Sequence, residues 1–256
     1  MNISGLIITY NEEKNIEKCL KGFFEVCNEV IIIDSNSTDK TVEIASKMGA
    51  KIVLQAFLGD GLQRSFGLQY CKNDWILNLD ADEFLDIDAL NFIKKGSYNS
   101  NEYDAYSFRV KNFLQDKFID FAGWYPDNKI RFFNKKSAKP SLDKIHQKII
   151  SQNPKKLNFH ILHYGSHSFL QIISKKNQYA QWSAEQIFES GIKISFIKPI
   201  FNGIFSFVKC YFFRKGIIRG IDGLTFSLTQ AYFSYIKYAN VIQFQKQKKI
   251  IHKNYD

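Results

Sequence analysis

Trp75-Ile76-Leu77-Asn78-Leu79, followed at once by Asp80-Ala81-Asp82-Glu83, is an apolar strand that ends in clustered carboxylates. Unpaired charge at a sheet edge is costly unless a cation or a polar ligand offsets it. Hard divalent ions such as Mg²⁺ prefer oxygen ligands and often bridge one or two carboxylates to a substrate's phosphates. Asp-x-Asp is also common by chance. A solvated strand end leading into an acidic first helical turn, with Asp86 and Asp88, is the plainer account. The neighbouring sequence decides between them.

Upstream the chain alternates regularly. Ile3 to Thr9 is a short apolar run, and Glu12 to Phe24 then carries Ile16, Cys19, Leu20, Phe23 and Phe24 at helical spacing. Val30 to Asp34 is a second strand, and Ser37-Thr38-Asp39 leads into a second helix with Val42, Ile44, Ala45 and Met48. A third strand at Lys51–Leu54 and a helix around Gln63–Tyr70 precede the strand that ends at Asp80. Continuous Val/Ile/Leu strands alternating with helices predict an α/β domain, a mostly parallel, Rossmann-like sheet covered on both faces. Ligands of such sheets bind beyond the carboxyl ends of the strands. Three of those ends are polar: Thr9-Tyr10-Asn11-Glu12, Asp34-Ser35-Asn36-Ser37 and Asp80-Ala81-Asp82. They are expected to converge on one nucleotide-binding crevice.

Ile7-Ile-Thr-Tyr-Asn-Glu-Glu13, Ile33-Asp-Ser-Asn-Ser-Thr-Asp-Lys-Thr41 and Leu79-Asp-Ala-Asp-Glu83, in this order and spacing, resemble the family 2 glycosyltransferases of GT-A fold. Beyond residue 100 the chain is similar to a narrower branch, the lipopolysaccharide-core β-1,4-glucosyltransferases. Phe121-Ala-Gly-Trp-Tyr-Pro-Asp127, Lys129-Ile-Arg-Phe-Phe133, Ile145-His146, Leu162-His163-Tyr164 and Gly220-Ile-Asp-Gly223 carry that likeness. The resemblance implies an inverting, Mg²⁺- or Mn²⁺-dependent transfer of a hexose from a nucleotide sugar, UDP-linked, to a lipid-anchored saccharide acceptor. It implies that Thr9, Tyr10, Asn11 and Glu12 meet the base and ribose, and that Asp34 touches the uracil or ribose. It places Arg64 near the diphosphate, although Ser65 stands where the family has Asn. Asp80 and Ala81 belong to the donor site, Asp80 and Asp82 to the metal, and His163 to the ion or the diphosphate. Each has a plainer counterpart: a helix cap for Asn11, a turn for Asp34, a surface ion pair for Arg64, an ordinary hydrogen bond for His163.

The catalytic base is the open assignment. An inverting transfer needs a group that takes the acceptor hydroxyl's proton as its oxygen attacks the anomeric carbon. The branch shows Val-His-Glu where this chain has Ile145-His146-Gln147, and glutamine cannot serve. Asp127 is favoured, with Asp143 and His146 as alternatives. His160, His163 and His167 resemble a zinc cluster on paper, but a strand over Leu157–Tyr164 turns His160 and His163 to opposite faces.

At 256 residues the chain is long enough for one large domain, or a domain with an appendage. The expected division is a catalytic domain over 1–165 and a helical region over 166–256, with helices near 168–190, 196–213 and 221–248. Cys19, Cys27, Cys71 and Cys210 form no Cys-x-x-Cys pair and read as core residues of a reducing compartment. The opening Met1-Asn-Ile-Ser lacks signal-peptide character, which points to the cytoplasm. Charge is uneven: residues 1–95 hold 10 Lys+Arg and 15 Asp+Glu, whereas 190–256 hold 11 and 2. The acidic N-terminal half argues against nucleic acid. Apolar residues from Phe196 to Phe213, interrupted by Lys198, Asn202 and Lys209, suit a helix lying on an anionic membrane at its inner face. Two other classes stay in view: a nucleotide-sugar-binding protein impaired at Gln147, and a nucleotidyltransferase. The acidic Tyr10-Asn11-Glu12-Glu13 turn disfavours the latter.

Overall fold

A computed structural model describes residues 2–98, 102–141, 148–166 and 168–253. By contacts the chain divides into two compact units, Met1–Phe118 with Pro126–Gly165, and Ile119–Tyr125 with Ser166–Asp256. The short segment 119–125 thus belongs with the C-terminal helices rather than with the sheet that flanks it in sequence.

The first unit opens with β1 (Ile3–Thr9), α1 (Ile16–Phe24), β2 (Glu29–Asp34), α2 (Thr41–Lys47), β3 (Lys51–Leu54), α3 (Asp60–Leu68) and β4 (Trp75–Asp80). It continues through β5 (Glu83–Leu85), α4 (Ile87–Lys94), β6 (Ala105–Leu114), β7 (Lys117–Phe118), β8 (Asp127–Asn134), the small pair β9 (Lys139–Pro140) and β10 (Ile149–Ile150), and β11 (Pro154–Ser166). Among the described residues the main sheet has the order β3-β2-β1-β4-β8-β6-β11-β5, with β7 paired to β6. β3, β2, β1 and β4 pair in parallel, as the alternation predicts. β8 then joins β4 antiparallel and β6 joins β8 antiparallel, so the sheet as a whole is mixed.

Alternate residues of the parallel strands point to two cores. Ile7, Ile32 and Leu77 pack with Ile16, Leu20 and Phe23 of α1, while Leu6, Ile31, Ile33 and Ile76 pack on the other side with Cys71 and Phe66. β4 is anchored by stacking of Trp75 on Phe132, centroids 4.9 Å apart, and by Tyr98 edge-on to both. Such pairs contribute about 0.5–1.5 kcal/mol each beyond burial. They fix the strand that delivers Asp80. The first helix begins at Ile16 rather than Glu12, because Asn11 adopts a left-handed φ of 53° and Glu12 to Asn15 form a turn.

The second unit consists of α5 (Phe169–Glu189), α6 (Lys198–Val208), a π-helical turn over Lys209–Phe213, and α7 (Gly220–Lys253), together with the 119–125 loop. Ser168 caps α5 by accepting from Gln171 N. Phe226 of α7 is the hub, with Phe121, Trp124 and Phe169 all about its ring at 5.1–5.3 Å. Trp182 meets Tyr179 edge-on within α5. The loop turns through Ala122 (φ 52°) and Gly123 (φ 84°), and Ala122 N donates to Arg214 O at 2.7 Å. Arg219 pairs with Asp120.

Lys176 of α5 donates to Gln230 Oε1 at 2.8 Å and lies over the ring of Phe233. Burial lowers its pKa from 10.5 to about 8. Between those values the unfolded chain holds more protons than the folded one, so stability rises with pH through that window and the penalty is full below it. Urea midpoints across this range should climb in the wild type relative to Lys176→Met. Parallel curves would refute the assignment.

Candidate active site

The register of β1 fixes the site's frame. Thr9 stands beside Asp34 of β2, and Ile8 beside Asp80 of β4, so three polar strand ends form one edge. β8 runs antiparallel to β4 from Asn134 opposite Trp75, so its first residue, Asp127, emerges at that same edge.

Around Asp80 the charges interlock. Its Oδ1 accepts from Arg64 at 2.5 Å and its Oδ2 from Arg131 at 2.9 Å. Arg131 also donates to Glu83 Oε1 at 2.5 Å, and Glu83 Oε2 accepts the Asp80 N–H at 3.1 Å. Arg64 reaches Asn78 Oδ1 as well, and Asn78 donates to Leu6 O, tying the guanidinium to the sheet. Burial opposes the Asp80 carboxylate, but the adjacent Arg64 and Arg131, with Lys129, hold its pKa far below the ordinary range. Arg131 rises in turn, against burial, through Glu83 and Asp80. Arg64, Arg131 and Glu83 are buried; Asp80 keeps 29% of its side chain exposed. Thr9 Oγ1, Arg64 Nε and Arg131 Nε are buried polar atoms without a hydrogen-bond partner among the described residues.

Asp82 faces another way. Its carbonyl accepts Tyr164 N at 3.0 Å, and its Oδ2 stands 3.4 Å from His163 Nε2. β5 and β11 create this meeting by pairing Glu83 with His163. His163 Nδ1 lies 2.7 Å from Asn112 Oδ1, an acceptor that requires the ring proton on Nδ1 and turns Nε2 toward Asp82. Burial works against the imidazolium, yet Asp82 raises its pKa above the usual value. Gly165 completes the niche, since a Cβ there would run into His163 Nε2 and stand 3.0 Å from Asp82 Oδ2. Among the described residues no three His, Cys, Asp or Glu side chains are grouped so as to hold an ion. Asp82 and His163 supply one oxygen and one nitrogen, a two-donor set.

The remaining expected residues distribute as follows. Asp34 is fully buried and accepts from Ser37 N at 2.8 Å and Ser37 Oγ at 2.5 Å, a turn-forming role. Asn11 does not cap α1; its Oδ1 accepts Thr38 N at 2.8 Å, locking the first strand end to the second. Glu12 accepts from Asn15 Nδ2, and its N–H donates to Thr41 Oγ1. Tyr10 is exposed and Ala81 buried. Asp127 lies partly exposed, with Lys129 Nζ 3.7 Å away. His160 pairs with Asp86 at 3.2 Å, apart from His163. Asp143, His146, Gln147 and His167 lie outside the described residues. Arg131 enters the sequence reading only inside the Lys129–Phe133 stretch, with no role of its own, and Asn112 not at all, since each sits in a strand where charged and apolar residues are mixed.

A parallel half-sheet with an antiparallel extension, carrying Asp-x-Asp at the end of its fourth strand, is the GT-A arrangement of glycosyltransferases. Residues 4–94 match the model of glycosyl transferase family 2. A glycosyltransferase of Rickettsia bellii, described as uncharacterized, is 34% identical over 96% of this chain and 87% of its own length. The chain belongs to family 2 of the glycosyltransferases. The lipopolysaccharide core biosynthesis glycosyltransferase LpsC of Rhizobium meliloti is 28% identical over 94% of this chain and 92% of its own. Among solved structures, S. aureus TarS 1–349 in complex with UDP aligns over 96% of this chain and 92% of that one, at 13% identity and a TM-score of 0.48.

Proposed function

We propose that the chain is an inverting hexosyltransferase that uses a UDP-linked sugar and a lipid-anchored saccharide acceptor in bacterial lipopolysaccharide, lipooligosaccharide or related surface-glycan synthesis. Its place of action is then the inner face of the cytoplasmic membrane. The observation that carries the reading is the pairing of Asp82 with His163 over Gly165, next to a carboxylate gripped by two arginines. The acceptor class is supported by the name of the LpsC relative; the donor is supported by the sequence motifs alone.

The niche fits a divalent ion, Mg²⁺ or Mn²⁺. Its donors are one carboxylate and one imidazole whose Nε2, turned toward Asp82, would give up its proton in favour of the ion, and the glycine leaves room between them. When bound, the ion supplies charge neutralisation for the departing diphosphate. Asp82 and His163 would hold it. Asp80, fixed by Arg64 and Arg131, presents its exposed side to the ribose. Arg64, with an unsatisfied Nε, lies where the diphosphate adds negative charge. Thr9 to Glu12 and Asp34 form the base and ribose side of the crevice.

Asp127 is the proposed base. It takes the acceptor hydroxyl's proton as that oxygen bonds to the anomeric carbon and the bond to the diphosphate breaks, releasing the nucleoside diphosphate. The antiparallel run of β8 brings it to the donor edge, and its partial exposure leaves it open to an acceptor. Nucleoside diphosphate release from UDP-, GDP- and CMP-sugars, without acceptor and with Mg²⁺ or Mn²⁺, tests the whole reading. Slow release from one UDP-hexose, abolished by EDTA, is expected. With acceptor, Asp127→Asn should lose about a hundredfold or more in kcat and leave donor affinity unchanged. Donor binding without release under any acceptor would favour a non-catalytic binding protein.

A further inference from the structure

We infer that residues 192–221 form a docking face for an anionic lipid bilayer. α6 buries Pro199 and Gly203, the latter close against Ala231 and Tyr235 of α7, and Ser206 Oγ meets Ser234 Oγ at 3.0 Å. Its other face presents Ile200, Phe201, Ile204 and Phe205, each more than half exposed. Phe212 and Phe213 extend this stripe beyond the π-helical turn, and Ile217, Ile218 and Ile221 follow, all at least half exposed. Nine large apolar side chains in twenty-two residues are far more than the single exposures a soluble surface ordinarily carries.

Charge selects the occupant. From 190 to 221 the chain carries six Lys or Arg and no Asp or Glu, and of the six Arg219 is already paired with Asp120. A second copy would bring the same cations against them, whereas phosphate headgroups complement them and acyl chains receive the Phe and Ile side chains. No described helix is long and apolar enough to cross a membrane. An eleven-residue helix with one apolar side lies along the surface instead. The inference is independent of the transfer reading, because it is tested without donor or acceptor.

The full chain is sedimented with phosphatidylcholine vesicles, with and without phosphatidylglycerol, at low and raised salt. Binding is expected only with the anionic lipid and is expected to weaken with salt. Phe201→Ser/Phe205→Ser should reduce it at least roughly tenfold, since two rings that would lie among acyl chains are lost. Lys209→Gln/Lys215→Gln should reduce it about fivefold per cation. These positions are exposed, and far-ultraviolet circular dichroism verifies that the helices persist. Absence of vesicle binding, or binding that none of these changes alters, would overturn the inference. So would a dimer that the Phe201→Ser/Phe205→Ser change dissociates, since the face would then belong to a second copy.

Discussion

Replacing Asp82 by alanine is expected to lower kcat by roughly 10²–10³-fold and to leave the residual turnover indifferent to Mg²⁺ or Mn²⁺. The reason is local. The Asp82 backbone stays pinned through Tyr164 N, and Arg131 is held by Asp80 and Glu83, so the variant should keep its fold. What disappears is the carboxylate oxygen that stands 3.4 Å from His163 Nε2. A readout independent of catalysis exists: Mn²⁺ should raise the Tm of the wild type and not that of Asp82→Ala. Unchanged turnover and unchanged metal response would remove Asp82 and His163 from the proposed site.

Arg131→Met is expected to cost about 3–5 kcal/mol of stability, because it strands the fully buried Glu83 and frees one oxygen of Asp80. Urea unfolding measures it. The double variant Arg131→Met/Glu83→Gln should recover most of the loss, as the uncompensated charge is gone. Its folded form tests a second matter. If Arg131 positions Asp80, donor KM rises in the double variant although the fold is restored. Recovery of both stability and KM would make the arginine purely structural.

The parallel half of the sheet was legible because β1, β2 and β4 are buried on both faces, so their Ile, Val and Leu runs are nearly unbroken. The antiparallel half was not. β5 is three residues long, and its pairing with β11 joins positions nearly eighty residues apart, beyond any local pattern. That pairing sets His163 opposite Glu83 and brings it to Asp82, so the niche itself could be named only by resemblance. Arg131 hid for a different reason. In Lys129-Ile-Arg-Phe-Phe133 it reads as the solvent-facing member of an alternating strand, but β8 lies between β4 and β6 and has no solvent-facing side at that position. Asn11 fitted a helix cap in sequence, and the left-handed backbone there spent its side chain on Thr38 instead.

The loop at 119–125 has a consequence for inheritance. The chain passes from the first unit to the second, back again, and over once more, at 119, 126 and 166. A recombination event near Gly165 that exchanged the helical part between two relatives would leave Phe121, Trp124 and Asp120 behind, parted from Phe226 and Arg219. The helical part is therefore not a cassette. Seven residues in the middle of the gene must descend with it, so substitutions at 121, 124 and 226 should be read as one trait.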